Sequence, residues 1–291
     1  MLIVQVPASS ANLGPGFDCL GLAVNLHLTV RCEWSDSGLA ITANEPDIPA
    51  DGTNVIVRAM AAVFGAAGRE LPGLTLDVSN TIPLSRGLGS SAAAIAAGLV
   101  LANGLLSGRF SNAELLDIGL PLEGHPDNLA PALFGGLQVT SLADGKVLRM
   151  PVPMPTPPRL ALFIPEKAMS THAARQVLPD GVPRQDAVFN TGRSSLLVAA
   201  LATGGYGVLR QAMEDRLHQP YRASIFPQLP RLIEAALAAG AAGAALSGAG
   251  STVVALCEGD PAPAAAAMAA VGVAGRPLTA LVEMEGAHLL T

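Results

Sequence analysis

Lysine is almost missing from this chain. Only Lys146 and Lys167 occur among 291 residues, followed by Val147 and Ala168. The common nucleotide loop GxxxxGK[ST] needs a lysine followed by serine or threonine, so that signature is excluded. Cysteine is scarce as well. Cys19, Cys32 and Cys257 are odd in number, far apart and form no CxxC pair. That excludes a disulfide framework and a zinc knuckle, and it fits a reducing cytoplasm. Each is read as a small buried hydrophobe. Half of the residues are hydrophobic (50%), yet no uninterrupted apolar run reaches the ~18 to 20 residues that span a bilayer, so no membrane partner is expected. The opening MLIVQVPASS lacks a basic leader with a hydrophobic region behind it, and no signal peptide is expected. Positive charge is short too. A net charge of −6 and scattered arginines argue against broad nucleic-acid binding, but a few cations can still converge locally on an anion.

What is present is concentrated in residues 83–94, PLSRGLGSSAAA. A glycine-serine loop that opens a helix offers unpaired backbone N–H groups and the positive end of the helix dipole, which together make a phosphate site. Glycine lets the backbone approach the ligand closely. Ser90 and Ser91 add hydroxyls able to bind phosphate oxygens or magnesium. The dinucleotide fingerprint GxGxxG matches only loosely, with Ala92 at the third glycine and no acidic residue between Ala92 and Phe110 to hold a ribose, so it is set aside.

Strands are predicted over Leu2–Val6, Leu26–Cys32, Leu74–Ser79 and Gly135–Ser141, and helices over Asn54–Ala67, Ala92–Leu106 and Asn112–Leu120, the last with Ser111 as N-cap. Asp144-Gly145 reads as a hairpin turn before Val147–Met150. The run Pro151-Val152-Pro153-Met154-Pro155-Thr156-Pro157-Pro158 disfavours helix interiors and central strands. It marks the expected boundary between a domain at residues 1–152 and a second at 153–291. Beyond it a buried strand is predicted at Leu160–Pro165. Helices follow near Ala173–Val177, Val188–Ala202, Gly207–Asp215 and Leu229–Ala239. Strands Ala244–Ser247 and Thr252–Cys257 bracket a second glycine turn. The mix is α+β in both halves.

Three ordered segments carry a family likeness: Pro7 to Asp18 (PASSANLGPGFD), the PLSRGLGSSAAA loop, and Leu246 to Thr252 (LSGAGST). Together they resemble the GHMP kinases. The opening motif, Glu123 to Ala132 (EGHPDNLAPA) with Gly135-Gly136, and His218 to Arg222 (HQPYR) are most similar to the homoserine kinases within that superfamily. Two positions depart from the pattern: Ser85 stands where a glycine is frequent, and Ser251-Thr252 replaces proline-serine.

The resemblance implies an N-terminal domain like domain 2 of ribosomal protein S5 and a ferredoxin-like C-terminal domain, with ATP in the groove between them, a homodimer, and transfer of phosphate to the hydroxyl of L-homoserine. ATP is then expected along Pro83, Arg86, Gly87, Leu88, Gly89, Ser90, Ser91 and Ala92, with Asn54 near adenine. Mg2+ is expected on Ser91 and Glu123. Homoserine is a zwitterion with a terminal hydroxyl, so its pocket needs an anion, cations and a hydroxyl partner. Asp18 is assigned to the ammonium, Arg175 and Arg222 to the carboxylate, Asn12 and Asn128 to the hydroxyl, and His125 to bracing the substrate. Asparagine at 128 cannot usefully take a proton, so the hydroxyl proton is expected to pass to the phosphate. The alternatives are a mevalonate- or shikimate-type kinase of the same superfamily, and a non-catalytic ligand sensor on the same fold.

Overall fold

The fold is given by a computed structural model that describes residues 1–36 and 38–290. The chain opens with a long hairpin, β1 (Leu2–Asn12) and β2 (Gly16–Trp34), in antiparallel register with Val4 opposite Val30. Both strands run well past their predicted ends, because the small residues Ala8, Ser9, Ser10 and Ala11 are covered on both faces and are fully buried (0% exposed). Continuous burial erases the in–out alternation by which strands are read. An edge strand, β3 (Leu39–Ala43), leads through helix α1 (Val55–Ala66) to β4 (Leu74–Asn80), which pairs with it in parallel. Strand β4 keeps strict alternation between buried and exposed residues.

Helix α2 (Ser90–Leu105) follows the glycine loop. Its Ala-rich surface is buried from Ala92 to Ala102 almost all round, as expected of a helix without a polar face. Helix α3 (Asn112–Glu123) begins with the expected Ser111 cap, completed by Glu114 into a capping box. Helix α4 (Pro126–Phe134) has Pro126 in its first turn and Pro131 inside. Two prolines in a nine-residue segment hide it from propensity, although a proline at the first helical position leaves no hydrogen bond unmade. Strands β5 (Leu137–Ala143) and β6 (Lys146–Val152) close over Asp144 and Gly145, both with positive φ (51° and 76°), as a two-residue hairpin turn requires.

After the proline-rich connection come β7 (Arg159–Pro165), α5 (Thr171–Gln176) and α6 (Arg184–Thr203). The helix expected over Gly207–Asp215 is instead a 3-10 turn (Tyr206–Val208) and a short α7 (Leu209–Ala212). It stops there because Asp215 turns its carboxylate onto the amides of Leu217, His218 and Gln219 at 2.9, 3.0 and 2.6 Å. That arrangement starts α8 (Gln219–Arg222). Next are α9 (Leu229–Ala238), β8 (Gly243–Leu246), β9 (Val253–Cys257), α10 (Ala262–Ala269), β10 (Gly275–Leu281) and β11 (His288–Leu290).

The strands form two sheets. The first has seven strands, ordered β11-β1-β2-β4-β3, with β5 on the far part of β2 and β6 on β5. The second has four, ordered β10-β7-β9-β8 and antiparallel throughout, which is the ferredoxin-like arrangement. The sheets change between Val152 and Arg159, and the final strand returns to pair with β1. One apolar core runs across both. Leu160, Leu162 and Ile164 on one face of β7 join the core of the first sheet. Ala161 and Phe163 on the other face pack with α9 and α10 residues such as Leu232 and Met268. This two-sided burial explains why β7 reads as an unbroken hydrophobic run. Among the described residues, no helix is long and apolar enough to cross a membrane.

Candidate active site

The three sequence motifs meet at one place. Ser247 Oγ lies 2.6 Å from the Gly87 carbonyl oxygen and 2.8 Å from Ser10 Oγ, touching all three segments at once. The Gly248 amide donates to the Ala11 carbonyl at 3.0 Å, and the Thr252 amide to the Arg86 carbonyl at 3.0 Å. Gly87 makes this contact possible: its φ is +74°, and a Cβ there would overlap the Ser247 carbonyl oxygen. Beside this junction opens a cavity of about 510 Å³.

One end of the cavity is the mouth of α2. Gly89 is its N-cap, in the left-handed region (φ 66°), with no side-chain cap. The first intrahelical bond runs from the Ala93 amide to the Gly89 carbonyl, so the amides of Ser90, Ser91 and Ala92 have no partner within the helix. The side chain of Ala92 is buried (0% exposed), and its contribution here is its amide. Helix α3 delivers its last residue to the same spot, where Ser91 Oγ donates to Glu123 Oε2 at 2.8 Å. Burial raises the Glu123 carboxyl above its ordinary range, against the opposing bond from Ser91. Two hard oxygen donors beside an amide-lined helix mouth suit a magnesium ion that keeps most of its shell as phosphate and water. Among the described residues no three His, Cys, Asp or Glu side chains cluster as a metal site.

Arg86 turns away from this mouth. Its guanidinium donates to the carbonyls of Pro165, Leu84 and Glu166 at 3.1, 2.6 and 2.5 Å, tying the loop to the second domain. Pro83 lies outside the cavity lining, while Leu28, Ile48, Val78 and Leu88 form an apolar patch within it. Asn54 also lines it, but its Oδ1 caps α1 at the Ile56 amide (2.9 Å) and its Nδ2 donates to the Pro49 carbonyl (2.6 Å).

The other end is charged. Asp18 and Arg175 form a two-pronged ion pair, at 2.7 and 3.0 Å, whose side chains remain 35% and 38% exposed. Asp18 sits at φ 56°, its amide held by Asn12 Oδ1 at 3.0 Å. Asn12 Nδ2 donates to the Gly248 carbonyl at 3.0 Å, which leaves Asn12 one N–H and one lone pair for anything else. Arg222 is only 2% exposed. Its hydrogen-bond partners are all neutral: Nε donates to the Ala174 carbonyl (3.2 Å), and Nη1 to the Gly248 carbonyl (2.9 Å) and His218 Nδ1 (3.1 Å). Burial, with the nearby Arg175 charge, pushes Arg222 down to about 10, so it stays cationic at neutral pH. His218 is pushed down to about 4 by burial. It is therefore neutral, with Nε2–H donating to the Gly14 carbonyl (2.7 Å) and Nδ1 accepting from Arg222. Phe17 stacks on His218 and lies under both Arg175 and Arg222.

Between the two ends stands the start of α4. His125 Nδ1 is 2.6 Å from Asp127 Oδ1. Burial opposes a charge on His125, but the hydrogen bond and charge of Asp127, with Glu123 and Asp18 behind it, outweigh burial and raise its pKa. Asn128 Oδ1 accepts from Ser9 Oγ at 2.9 Å.

The cavity thus brings together Asn12, Asp18, Asn54, Arg86, Gly87, Leu88, Gly89, Ser90, Ser91, Glu123, His125, Asn128, Arg175 and Arg222. Sequence reasoning did not single out Asp127, Ser9 or Phe17. The last two lie inside the opening motif, and Asp127 inside the segment that carries Glu123 and Asn128, so position within a motif was the signal on offer. It left His218 open between bracing the substrate or its shell and a structural role, because a histidine buried against a carbonyl and an arginine cannot be told apart in sequence from one facing a ligand.

Comparison with known proteins places this geometry in a class. The family profile described as GHMP kinases N terminal domain matches residues 54–136, and the one described as GHMP kinases C terminal matches residues 197–274. The homoserine kinase of Caldicellulosiruptor bescii is 45% identical over 260 residues, covering 89% of this chain and 85% of that protein. The homoserine kinase of Desulfitobacterium hafniense is 42% identical over the full length of both. A crystal structure of homoserine kinase from Cytophaga hutchinsonii superposes with a TM-score of 0.90 at 29% identity, over 99% of this chain and 97% of that one. The chain belongs to the homoserine kinase family of GHMP kinases.

Proposed function

We propose that this protein transfers the γ-phosphoryl group of ATP to the side-chain hydroxyl of L-homoserine, giving O-phospho-L-homoserine and ADP. One observation supports this reading above the others: an amide-lined helix mouth faces, across a single cavity, a buried guanidinium whose hydrogen-bond partners are all neutral. A buried cation with only neutral hydrogen-bond partners has a desolvation cost that the nearby charges of Asp18, Asp215 and Asp127 offset only in part, and an incoming anion relieves the rest. The substrate carboxylate is that anion, gripped by Arg222 and by Arg175. Asp18, paired with Arg175 in the free protein, exchanges this partner for the substrate ammonium.

At the other end, the amides of Ser90, Ser91 and Ala92 and the dipole of α2 hold the triphosphate. The apolar patch of Leu28, Ile48 and Val78 receives the adenine, next to Asn54. Ser91 and Glu123 would hold magnesium, which would supply charge neutralisation at the phosphate oxygens. Asn128 meets the acceptor hydroxyl. Asp127, the neighbouring carboxylate, is committed to His125 Nδ1, so the hydroxyl proton passes to an oxygen of the transferred phosphoryl group. Phosphoryl transfer through a loose transition state needs positioning and charge neutralisation more than a strong base. Unpaired cysteines fit a cytoplasmic setting, and the family resemblance carries a homodimer, which light scattering on the purified protein would check.

The test is ADP release from Mg-ATP with homoserine, serine, threonine, mevalonate or shikimate supplied separately. Homoserine is expected to give the highest rate. Mevalonate or shikimate leading would overturn the acceptor assignment, and no release with any acceptor would turn the reading to a ligand sensor.

A further inference from the structure

Ser9 sits on β1 between the phosphate loop and α4 and is fully buried (0% exposed). It touches both. Its amide donates to the Leu88 carbonyl at 3.1 Å, and its hydroxyl donates to Asn128 Oδ1 at 2.9 Å. The loop backbone presses on the same pair: a Cβ at Gly89 would overlap Ser9 Oγ and lie 3.0 Å from Asn128 Oδ1. On the opposite side Asn128 Nδ2 faces Asp127 Oδ1 at 3.4 Å. A carboxylate oxygen accepts from an amide NH2, so this longer contact agrees with the same amide orientation. The carbonyl oxygen of Asn128 points at Ser9 and Gly89, and its NH2 points toward Asp127, in a residue that lines the cavity.

We propose that Ser9 is a positioning residue for phosphoryl transfer. By donating to the Asn128 carbonyl oxygen, which the Gly89 backbone also crowds, it turns that oxygen toward the loop and leaves the NH2 side of the amide for the acceptor. This rests on the reading above that Asn128 meets the acceptor hydroxyl. An N–H donates to the hydroxyl oxygen, so the hydroxyl's own proton turns away from Asn128 and toward the phosphate. The new O–P bond then forms as the β,γ-bridging P–O bond breaks. The electron pair leaves on ADP, and the proton goes to an oxygen of the transferred group. With the amide reversed, its oxygen would instead accept the hydroxyl proton and hold it away from the phosphate. Because Ser9 also binds the Leu88 carbonyl, the same residue sets the spacing between the acceptor amide and the phosphate loop.

The test is a double-mutant cycle of Ser9→Ala and Asn128→Ala, reading kcat, KM for ATP and melting temperature with homoserine as acceptor. Losing one buried orienting hydrogen bond is expected to lower kcat about tenfold in Ser9→Ala. The KM for ATP should hold, the melting temperature should fall by only a few degrees, and the substitution should add almost nothing to the loss of kcat in the Asn128→Ala background. An undiminished kcat in Asn128→Ala would remove the underlying reading of Asn128. A kcat lowered in Asn128→Ala but lowered again by the full Ser9→Ala factor in the double variant would overturn the role of Ser9 alone. Should Ser9→Ala not fold, Ser9→Cys decides: it has nearly the same volume but a weak donor, and a folded variant with unchanged kcat overturns the proposal.

Discussion

The two ends of the cavity are built from different materials. The end proposed for phosphate is made of consecutive residues, from Gly87 to Ser91, and offers main-chain amides at the mouth of one helix. The end proposed for the acceptor is made of side chains from Asn12, Asp18, Asn128, Arg175 and Arg222, drawn from both domains. Backbone amides bind any phosphate in reach and need only the right local conformation. A zwitterion with a hydroxyl needs three kinds of group at fixed separations, and no short segment of chain can supply them. On the proposed reading, phosphate binding is local at one end and specificity is tertiary at the other.

The comparison breaks most severely at Gly89, where the two ends touch. Its φ of 66° disfavours any other residue, and an added Cβ meets Ser9. Gly89→Ala is expected to lower kcat/KM at least about 100-fold, since displacements of about 1 Å cost that much in positioned reactions. Steady-state kinetics with both substrates varied would check this; a loss confined to the KM for ATP would mean that the two ends are not coupled through this residue.

A sharper test lies within the acceptor end. Arg222 is buried and Arg175 is about two-fifths exposed. Removing a buried charge from a charged contact costs more than removing one open to solvent. Arg222→Met is expected to lower kcat/KM for homoserine about 100-fold, and Arg175→Gln about tenfold. Equal losses would show that burial does not rank the two cations.

The last effect is on stability and not on rate. His218 takes a proton near its ordinary value of 6.5 in the unfolded chain, but only near 4 in the fold, because burial disfavours the charge. Between those values the unfolded state binds more protons, so stability falls as pH drops through that window. The loss from this one group is on the order of 3 kcal/mol once pH reaches the lower value. Urea unfolding of the wild type and His218→Gln at pH 7 and pH 4.5 measures it. The variant should lose less stability on acidification, and an equal loss in both would remove His218 from the account.

Much of the N-terminal domain was legible because its signals are local. Ser111 caps α3 and Asp144-Gly145 turns the β5–β6 hairpin as expected. Helix α4 was hidden by its prolines, and β3, α8, α10, β10 and β11 by short length or weak periodicity. At the site, the resemblance named Glu123 and Asn128, but nothing in the chain indicated that Arg86 would spend its guanidinium on three carbonyls. Nor did it indicate that Asp18 and Arg175, 157 positions apart, would pair before any ligand arrives.

The sequence by itself determined the glycine-serine loop that opens α2, the α+β class and the family, since each is written in short motifs and local patterns whose conformation follows from neighbours in the chain. Only the tertiary structure decided which polar atoms remain available to a ligand. That depends on which partners folding brings within hydrogen-bond distance, and in this protein those partners come from segments far apart in the chain.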